Sequence, residues 1–330
     1  MSKIYEALRQ AELDRAKSGA TESETAPDTT NTAQAVMEHP PVPAFSNSGK
    51  SLAMVPSGAK AVAEPKGSAG GIAEAPPDVP VIDLSKIQLI TWKPVLTSLP
   101  ALDERGSAVE QFRSLRSRMQ EFRDLNTLKS LLVSSGLPQE GKSFIAANLA
   151  ISFARHKAGR VLLIDGDMRR ATQHKLLGAP QGPGLTEYLS GEASIVEVMQ
   201  RPRADDPNHP LPHGLASLTF IAAGNEYDKA ADLSGNHRFD RLIAAASPHF
   251  DWIVVDSSPV NLVSDGVNLA RACDAVLLVA RGGVTKYVVA QRALAELKAS
   301  KVLGFVLNAV KNPPIAGGYY GYDGYDKIEE

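Results

Sequence analysis

The chain has one cysteine in 330 residues, a formal net charge of −2, and no apolar run long enough to cross a bilayer. Each shortage excludes something. A single cysteine rules out an internal disulfide framework, and Cys273, beside the apolar run Ala275 to Ala280, reads as a buried, inert thiol in a reducing compartment. Near-zero net charge leaves no global field for nucleic acid, and no local basic cluster is dense enough to replace it. The histidines, among them His174, His209, His213 and His237, lack metal-ligand spacing. With no spanning segment and no signal-peptide core, the expectation is a soluble, cytoplasmic protein that does not bind nucleic acid.

What is present is distributed unevenly. Residues 2 to 17 predict a short helix, with Ser2 as N-cap and Ile4, Leu8 and Ala11 along one face. Residues 18 to 80 are polar and rich in Pro, Ala and Ser, too poor in large apolar groups to offset chain entropy, and predict a disordered linker spanning on the order of 40 Å. Val81 to Leu102 reads as an ordered arm lying on the domain. A helix follows from Ser107, whose Ser107-Ala108-Val109-Glu110 run has the pattern of a capping box; Val109, Phe112, Leu115, Met119 and Phe122 make its apolar stripe. Glu110, Arg113 and Arg116 form an oblique polar row beside that stripe, which by spacing alone is a solvated face.

The stretch that organises the rest lies between Leu128 and Leu149. The apolar residues Leu131, Leu132 and Val133 run into Gly136-Leu137-Pro138-Gln139-Glu140-Gly141-Lys142-Ser143, followed by a helical pattern: G-x-x-x-x-G-K-S between a strand and a helix. Glycines at those places let backbone N–H groups surround a phosphate, lysine reaches the terminal phosphates, and serine offers a hydroxyl to a magnesium ion at the positive end of the helix. Gly136, Gln139, Glu140, Gly141, Lys142, Ser143 and Phe144 are the expected nucleotide-binding set, and ATP with Mg2+ the expected ligands.

Apolar runs at Val161 to Ile164, Leu218 to Ala222, Trp252 to Val255, Ala275 to Val279 and Val302 to Leu307 alternate with helical patterns near 143–156, 192–200, 236–247 and 285–299. That alternation predicts an α/β fold, a mostly parallel sheet with helices on both faces, in which ligands gather at the carboxyl ends of the strands. Two of these runs end in acid: Asp165-Gly166-Asp167-Met168-Arg169 and Asp256-Ser257-Ser258-Pro259. A single strand-terminal aspartate is often a turn residue. If the strands adjoin the phosphate loop, however, Asp165, Asp167 and Asp256 converge there, and with Ser143 they are the expected metal ligands.

In these motifs the chain resembles the bacterial tyrosine kinases of capsule and exopolysaccharide biosynthesis, over about residue 108 to the C-terminus. The phosphate loop, the D-x-D-x-R run, the D-x-x-P run, the E-x-x-R-x-x-R helix at Glu110, Arg113 and Arg116, and a terminal cluster Tyr319, Tyr320, Tyr322 and Tyr325 occur in that family's order. The resemblance implies a P-loop kinase domain over 81–312 and a phosphoacceptor tail over 313–330. Lys142, Asp165 and Asp167 would be catalytic, with Asp165 accepting the phenol's proton, and Asp256 would help to hold Mg2+. It further implies a ring-like homo-oligomer joined through Glu110, Arg113 and Arg116 that phosphorylates tails in trans. The implied partners are an inner-membrane chain-length-determinant protein, which would recruit the chain to the membrane with help from residues 2–17, and a protein tyrosine phosphatase. Two departures touch loops: Ala171 where the family has proline, and Lys229-Ala230-Ala231-Asp232-Leu233 where it has Asn-Pro then Glu-Leu. The alternatives are a dimerising switch ATPase of the septum-site or plasmid-partition type, against which Leu137 stands in place of that group's lysine, and a regulator that binds ATP without transferring phosphate.

Overall fold

A computed structural model describes residues 82 to 310 except 158, 204 to 210 and 226. The expected N-terminal helix, the linker and the tyrosine tail lie outside the described residues.

Eight strands form one sheet: β1 (Gln88–Ile90), β2 (Ser130–Ser135), β3 (Val161–Gly166), β4 (Met199–Pro202), β5 (Leu218–Ile221), β6 (Trp252–Ser257), β7 (Ala275–Arg281) and β8 (Val302–Asn308). Their order is β1-β4-β5-β3-β6-β2-β7-β8, parallel throughout except where β4 meets β5. Every residue of β2, β3 and β6 is buried, which explains why these strands read as continuous apolar runs: helices cover both faces. On one face Leu131, Val133, Leu163 and Val254 pack with Phe112 and Met119 of α1 (Ser107–Leu125) and with Ile145, Leu149 and Phe153 of α2 (Lys142–Arg155). On the other, Leu132, Ile164 and Val255 pack with α4 (Leu185–Ser190), α7 (Arg238–Ala246), α8 (Asp265–Arg271) and α9 (Tyr287–Glu296). Short helices α3 (Gln173–Leu177), α5 (Ile195–Val198) and α6 (Ala230–Ser234) complete the set. Burying each such Leu, Ile or Phe side chain contributes about 1.5–3 kcal/mol.

The arm lies on the domain as expected, with Trp92 buried edge-on against Phe220, ring centroids 6.0 Å apart. Several local expectations are corrected. Gly106, not Ser107, is the N-cap of α1, and no side chain caps it; Glu110 bonds Arg113 instead. Phe122 ends the apolar stripe partly exposed. The helix expected over 192–200 is a single turn, α5, closed by the Ser194 N–H to Glu197 Oε2 bond at 2.7 Å. After it the chain pairs antiparallel with β5, Met199 against Ile221, because sheet pairing there overrides a weak helical pattern. Cys273 is half-buried at the core's margin rather than enclosed, though burial still pushes its thiol up, away from thiolate formation.

Candidate active site

The glycine-rich loop joins β2 to α2, and two of its residues have positive φ: Gln139 at 64° and Gly141 at 97°. A Cβ on Gly141 would lie 1.9 Å from Nδ2 of Asn308, which donates to the Glu140 carbonyl at 3.0 Å. Glycine there satisfies both the backbone angle and the close approach of β8. The Glu140 carboxylate turns away from the loop's open side. It accepts the Leu137 N–H at 2.8 Å and the Thr285 hydroxyl, tying the loop to the segment after β7. Gly136 likewise sits behind the loop, where a Cβ would meet Val289 Cγ1 at 2.8 Å. Of the expected nucleotide-binding set, Gln139, Gly141, Lys142, Ser143 and Phe144 line a cavity of about 440 Å³, while Gly136 and Glu140 brace the loop from behind.

The register of the sheet brings the acids to this cavity. β6 lies between β2 and β3, so Asp165 is opposite Asp256, and Asp256 opposite Val133 just before the loop. Lys142 Nζ lies 2.8 Å from Asp167 Oδ2, 4.0 Å from Asp256 Oδ1 and 3.2 Å from Ser143 Oγ. Burial lowers the proton affinity of Lys142, but Asp256 and Asp167 more than offset it and hold its pKa above the usual lysine value. The three aspartates are not equivalent. Asp167 lines the cavity; Asp165 does not, and is 0% exposed one layer behind it. Asp165 Oδ2 accepts the Thr172 and Gln173 N–H groups, each at 3.0 Å. Burial, then the charge of Asp256, pushes its pKa up to about 8 despite those bonds. Burial also raises Asp256, against the pull of Lys142.

Whether these groups suit a cation can be judged from their bonding. Among the described residues Asp165 Oδ1 and Asp256 Oδ1 are buried without a hydrogen-bond partner, and Asp167 and Asp256 share one ammonium, leaving acceptor oxygens that a hard divalent cation would satisfy. Among the described residues, however, no three His, Cys, Asp or Glu side chains converge into a cage able to hold a metal by themselves. Asp165 and Asp256 each commit one oxygen to a protein donor. A site of this kind suits Mg2+, which keeps waters and phosphate oxygens in its shell.

Several members of the site carry no motif. Gln173, 0% exposed, donates through Nε2 to both the Ser143 carbonyl and Asp256 Oδ2, each at 2.9 Å, and so joins loop, β6 and the turn after β3. Thr172 Oγ1 donates to Ser143 Oγ at 3.3 Å. Asp265, at the start of α8, holds Arg169 at 2.6 Å. The only available hint was position: Thr172 and Gln173 follow the D-x-D-x-R arginine at a helix start.

The Glu110, Arg113 and Arg116 row is far from this cavity and splits. Glu110 and Arg113 pair on the exposed side of α1, whereas Arg116 turns inward and donates to the Ser152 carbonyl at 3.1 Å. The tyrosine cluster lies outside the described residues.

A strand-loop-helix of this kind, on a mostly parallel sheet covered on both faces, defines a P-loop nucleotide-binding protein. No protein-family model matches the chain. It is 32% identical over 217 residues to the tyrosine-protein kinase YwqD of Bacillus subtilis, spanning 64% of this chain and 86% of YwqD. Over 223 residues it is 31% identical to the tyrosine-protein kinase Wzc of Salmonella typhimurium, 66% of this chain but only 29% of that longer protein. Among solved structures, the kinase domain of Escherichia coli tyrosine kinase Etk superposes with a TM-score of 0.59 at 28% identity, covering 67% of this chain and 84% of that one. The chain belongs to the bacterial tyrosine-protein kinase family. Among the described residues, no helix is long and apolar enough to cross a membrane.

Proposed function

We propose that the chain is a Mg2+- and ATP-dependent tyrosine autokinase that transfers the γ-phosphoryl group to Tyr319, Tyr320, Tyr322 and Tyr325 of a neighbouring copy. The observation that carries this reading is the placement of Lys142, 2.8 Å from Asp167 and 4.0 Å from Asp256 beside a cavity of about 440 Å³ at the phosphate loop.

Backbone N–H groups at the start of α2 receive the phosphates, aided by the helix dipole. Lys142 exchanges Asp167 for the terminal phosphates and offsets charge as the γ-phosphoryl leaves. Ser143 and Asp256, both tied to Gln173, would hold Mg2+, and the ion would supply neutralisation of the triphosphate's charge. A general base must first reach its proton. Asp165 holds its proton tightly but is enclosed, whereas Asp167 is the carboxylate on the cavity wall, so we assign Asp167 the phenol's hydrogen bond and place Asp165 behind it as the buried partner that fixes the local charge. Thr172, Gln173 and Glu140 are positioning residues.

Glu110 and Arg113, the exposed members of their row, contact the next copy in a ring. Each phosphate added near Asp323 and Asp326 brings about −1.5 to −2 charges, which loosens the assembly and makes it follow phosphorylation state. The chain works in the cytoplasm, recruited to the inner membrane by a chain-length-determinant protein and reset by a tyrosine phosphatase, and so regulates the polymerisation and export of an exopolysaccharide or capsule.

The test is incubation of the purified protein with Mg-ATP and mapping of phosphate by mass spectrometry, alongside Lys142→Met and a truncation before Tyr319. Because Lys142 compensates buried carboxylates, the variant's circular dichroism is checked first. Phosphotyrosine confined to the tail and absent from folded Lys142→Met is the expected result. ATP hydrolysis without phosphotyrosine would instead support a switch ATPase.

A further inference from the structure

A second cavity, of about 260 Å³, opens between α1, the end of α2 and the loop before β5. Arg113, Arg116, Arg155, His156 and His213 line it, and among the described residues no carboxylate does. It lies at the opposite end of α2 from Lys142, about 20 Å away at the rise of an α-helix.

The arginines are held in place by groups that leave their charge uncompensated. Arg155 donates to the Ala101 and Asp103 carbonyls, each at 2.5 Å, and Arg116 to the Ser152 carbonyl at 3.1 Å. Arg113 shares its charge with Glu110, but among the described residues neither Arg116 nor Arg155 has a carboxylate partner. Arg116 Nε is buried with no hydrogen-bond partner among the described residues. The α2 C-terminus adds about half a negative charge, well short of neutralising two unpaired guanidiniums. Burial, then the like charges of Arg113 and Arg155, lower the proton affinity of Arg116, as expected of a cluster with no counter-ion among the described residues. Planar guanidiniums converging from two helices match a tetrahedral oxyanion.

We propose that this cavity binds a phosphate monoester or inorganic phosphate, a dianion that bridges α1 to α2 at a distance from the catalytic cavity. The proposal does not depend on kinase activity. The ligand chemistry has two sources, a free phosphate compound or a phosphorylated side chain, and the probes separate them.

The full chain is saturated with Mg-ADP to fill the phosphate loop and titrated by calorimetry with inorganic phosphate, phospho-L-tyrosine and L-tyrosine, while imidazole NMR signals of His156 and His213 are followed. Phosphate and phospho-L-tyrosine are expected to bind with Kd on the order of 1 mM or tighter, and to move both signals, whereas L-tyrosine does neither. Tighter binding of phospho-L-tyrosine points to a phosphorylated side chain, and tighter binding of phosphate to a free anion. His213 is exposed, so His213→Glu adds a carboxylate to the wall without disturbing the core. It should weaken either anion at least about tenfold, His213→Gln much less. Arg116→Lys keeps the charge but loses the fork, and should weaken binding by an intermediate factor. Failure of both anions to bind with the phosphate loop filled, or affinity unchanged by His213→Glu, would overturn the proposal.

Discussion

Asp165→Asn should make the nucleotide-free protein more stable while impairing it as an enzyme. The carboxyl has an ordinary pKa of 3.8 in the unfolded chain and is pushed up to about 8 in the fold by burial and then by Asp256. A group that holds its proton more tightly when folded contributes most favourably below its unfolded pKa. That contribution is lost as pH rises through about 8. Between pH 5 and pH 8 the loss is on the order of 3 kcal/mol. Asparagine keeps an oxygen for the Thr172 and Gln173 N–H groups and turns an amide donor toward the carboxylates that Asp165 repels. For a domain of this size the difference corresponds to roughly 6–12 °C in Tm. Thermal unfolding of wild type and variant from pH 5 to pH 9, in EDTA and without nucleotide, should show curves that converge near pH 5 and separate by pH 8 in the variant's favour. Adding Mg-ADP should narrow the gap, since a bound cation favours the ionised carboxylate. Parallel pH curves, or a variant less stable than wild type at pH 8, would falsify the view that the site stores uncompensated negative charge.

Other substitutions test separate parts of the site. Thr285→Val removes the hydroxyl that holds Glu140, leaving one buried carboxylate oxygen and the Arg281 N–H unsatisfied; urea unfolding should register a loss of about 1–3 kcal/mol, calorimetry should show weaker ADP binding, and Thr285→Ser should restore both. Asp167→Asn leaves the phosphate loop intact but removes the partner of Lys142 at 2.8 Å. ADP affinity should stay within a few-fold, while phosphotyrosine formation, followed by mass spectrometry, should fall by about 10²–10⁴.

The parts of this site that were legible in sequence are local: a glycine loop with its lysine and serine, and aspartates directly after apolar runs, all set by a few consecutive residues. The adjacency of β2, β6 and β3 is a condition of that reading rather than a product of it, and the sheet order meets the condition. What stayed hidden is held by contacts between distant residues. Asn308 reaches Glu140 across 168 positions, and Gln173 reaches Asp256 across 83; a Gln or Asn far from any motif looks like surface until the fold closes. The same limit applies to Gly136 and Glu140, since nothing in the loop's own sequence says which side of it packs against Thr285 and Val289. Short strands β1 and β4 were missed because three or four residues carry too little pattern to outweigh a neighbouring helical one.

Transfer between copies can be isolated from the rest of the proposal. β8 ends at Asn308, which bonds the phosphate loop directly, so the segment leading to the tyrosines starts beside the site it is proposed to serve in another copy. The nine steps from Val310 to Tyr319 span at most about 32 Å, a contour long enough to return to the same copy's cavity, and a covalent connection that short sets a local concentration on the order of millimolar. Transfer in trans therefore prevails only if assembly presents a neighbour's tail more favourably than the tether presents its own. Mixing a donor truncated before Tyr319 with Lys142→Met as acceptor removes the cis route altogether. Phosphotyrosine on the acceptor, forming at a rate that rises with acceptor concentration and drops when Arg113→Glu reverses the charge paired with Glu110 in both chains, is the expected result. An unmodified acceptor, with wild-type protein still phosphorylating itself at a rate independent of dilution, would assign the reaction to a single chain and leave the exposed row on α1 without a role in catalysis.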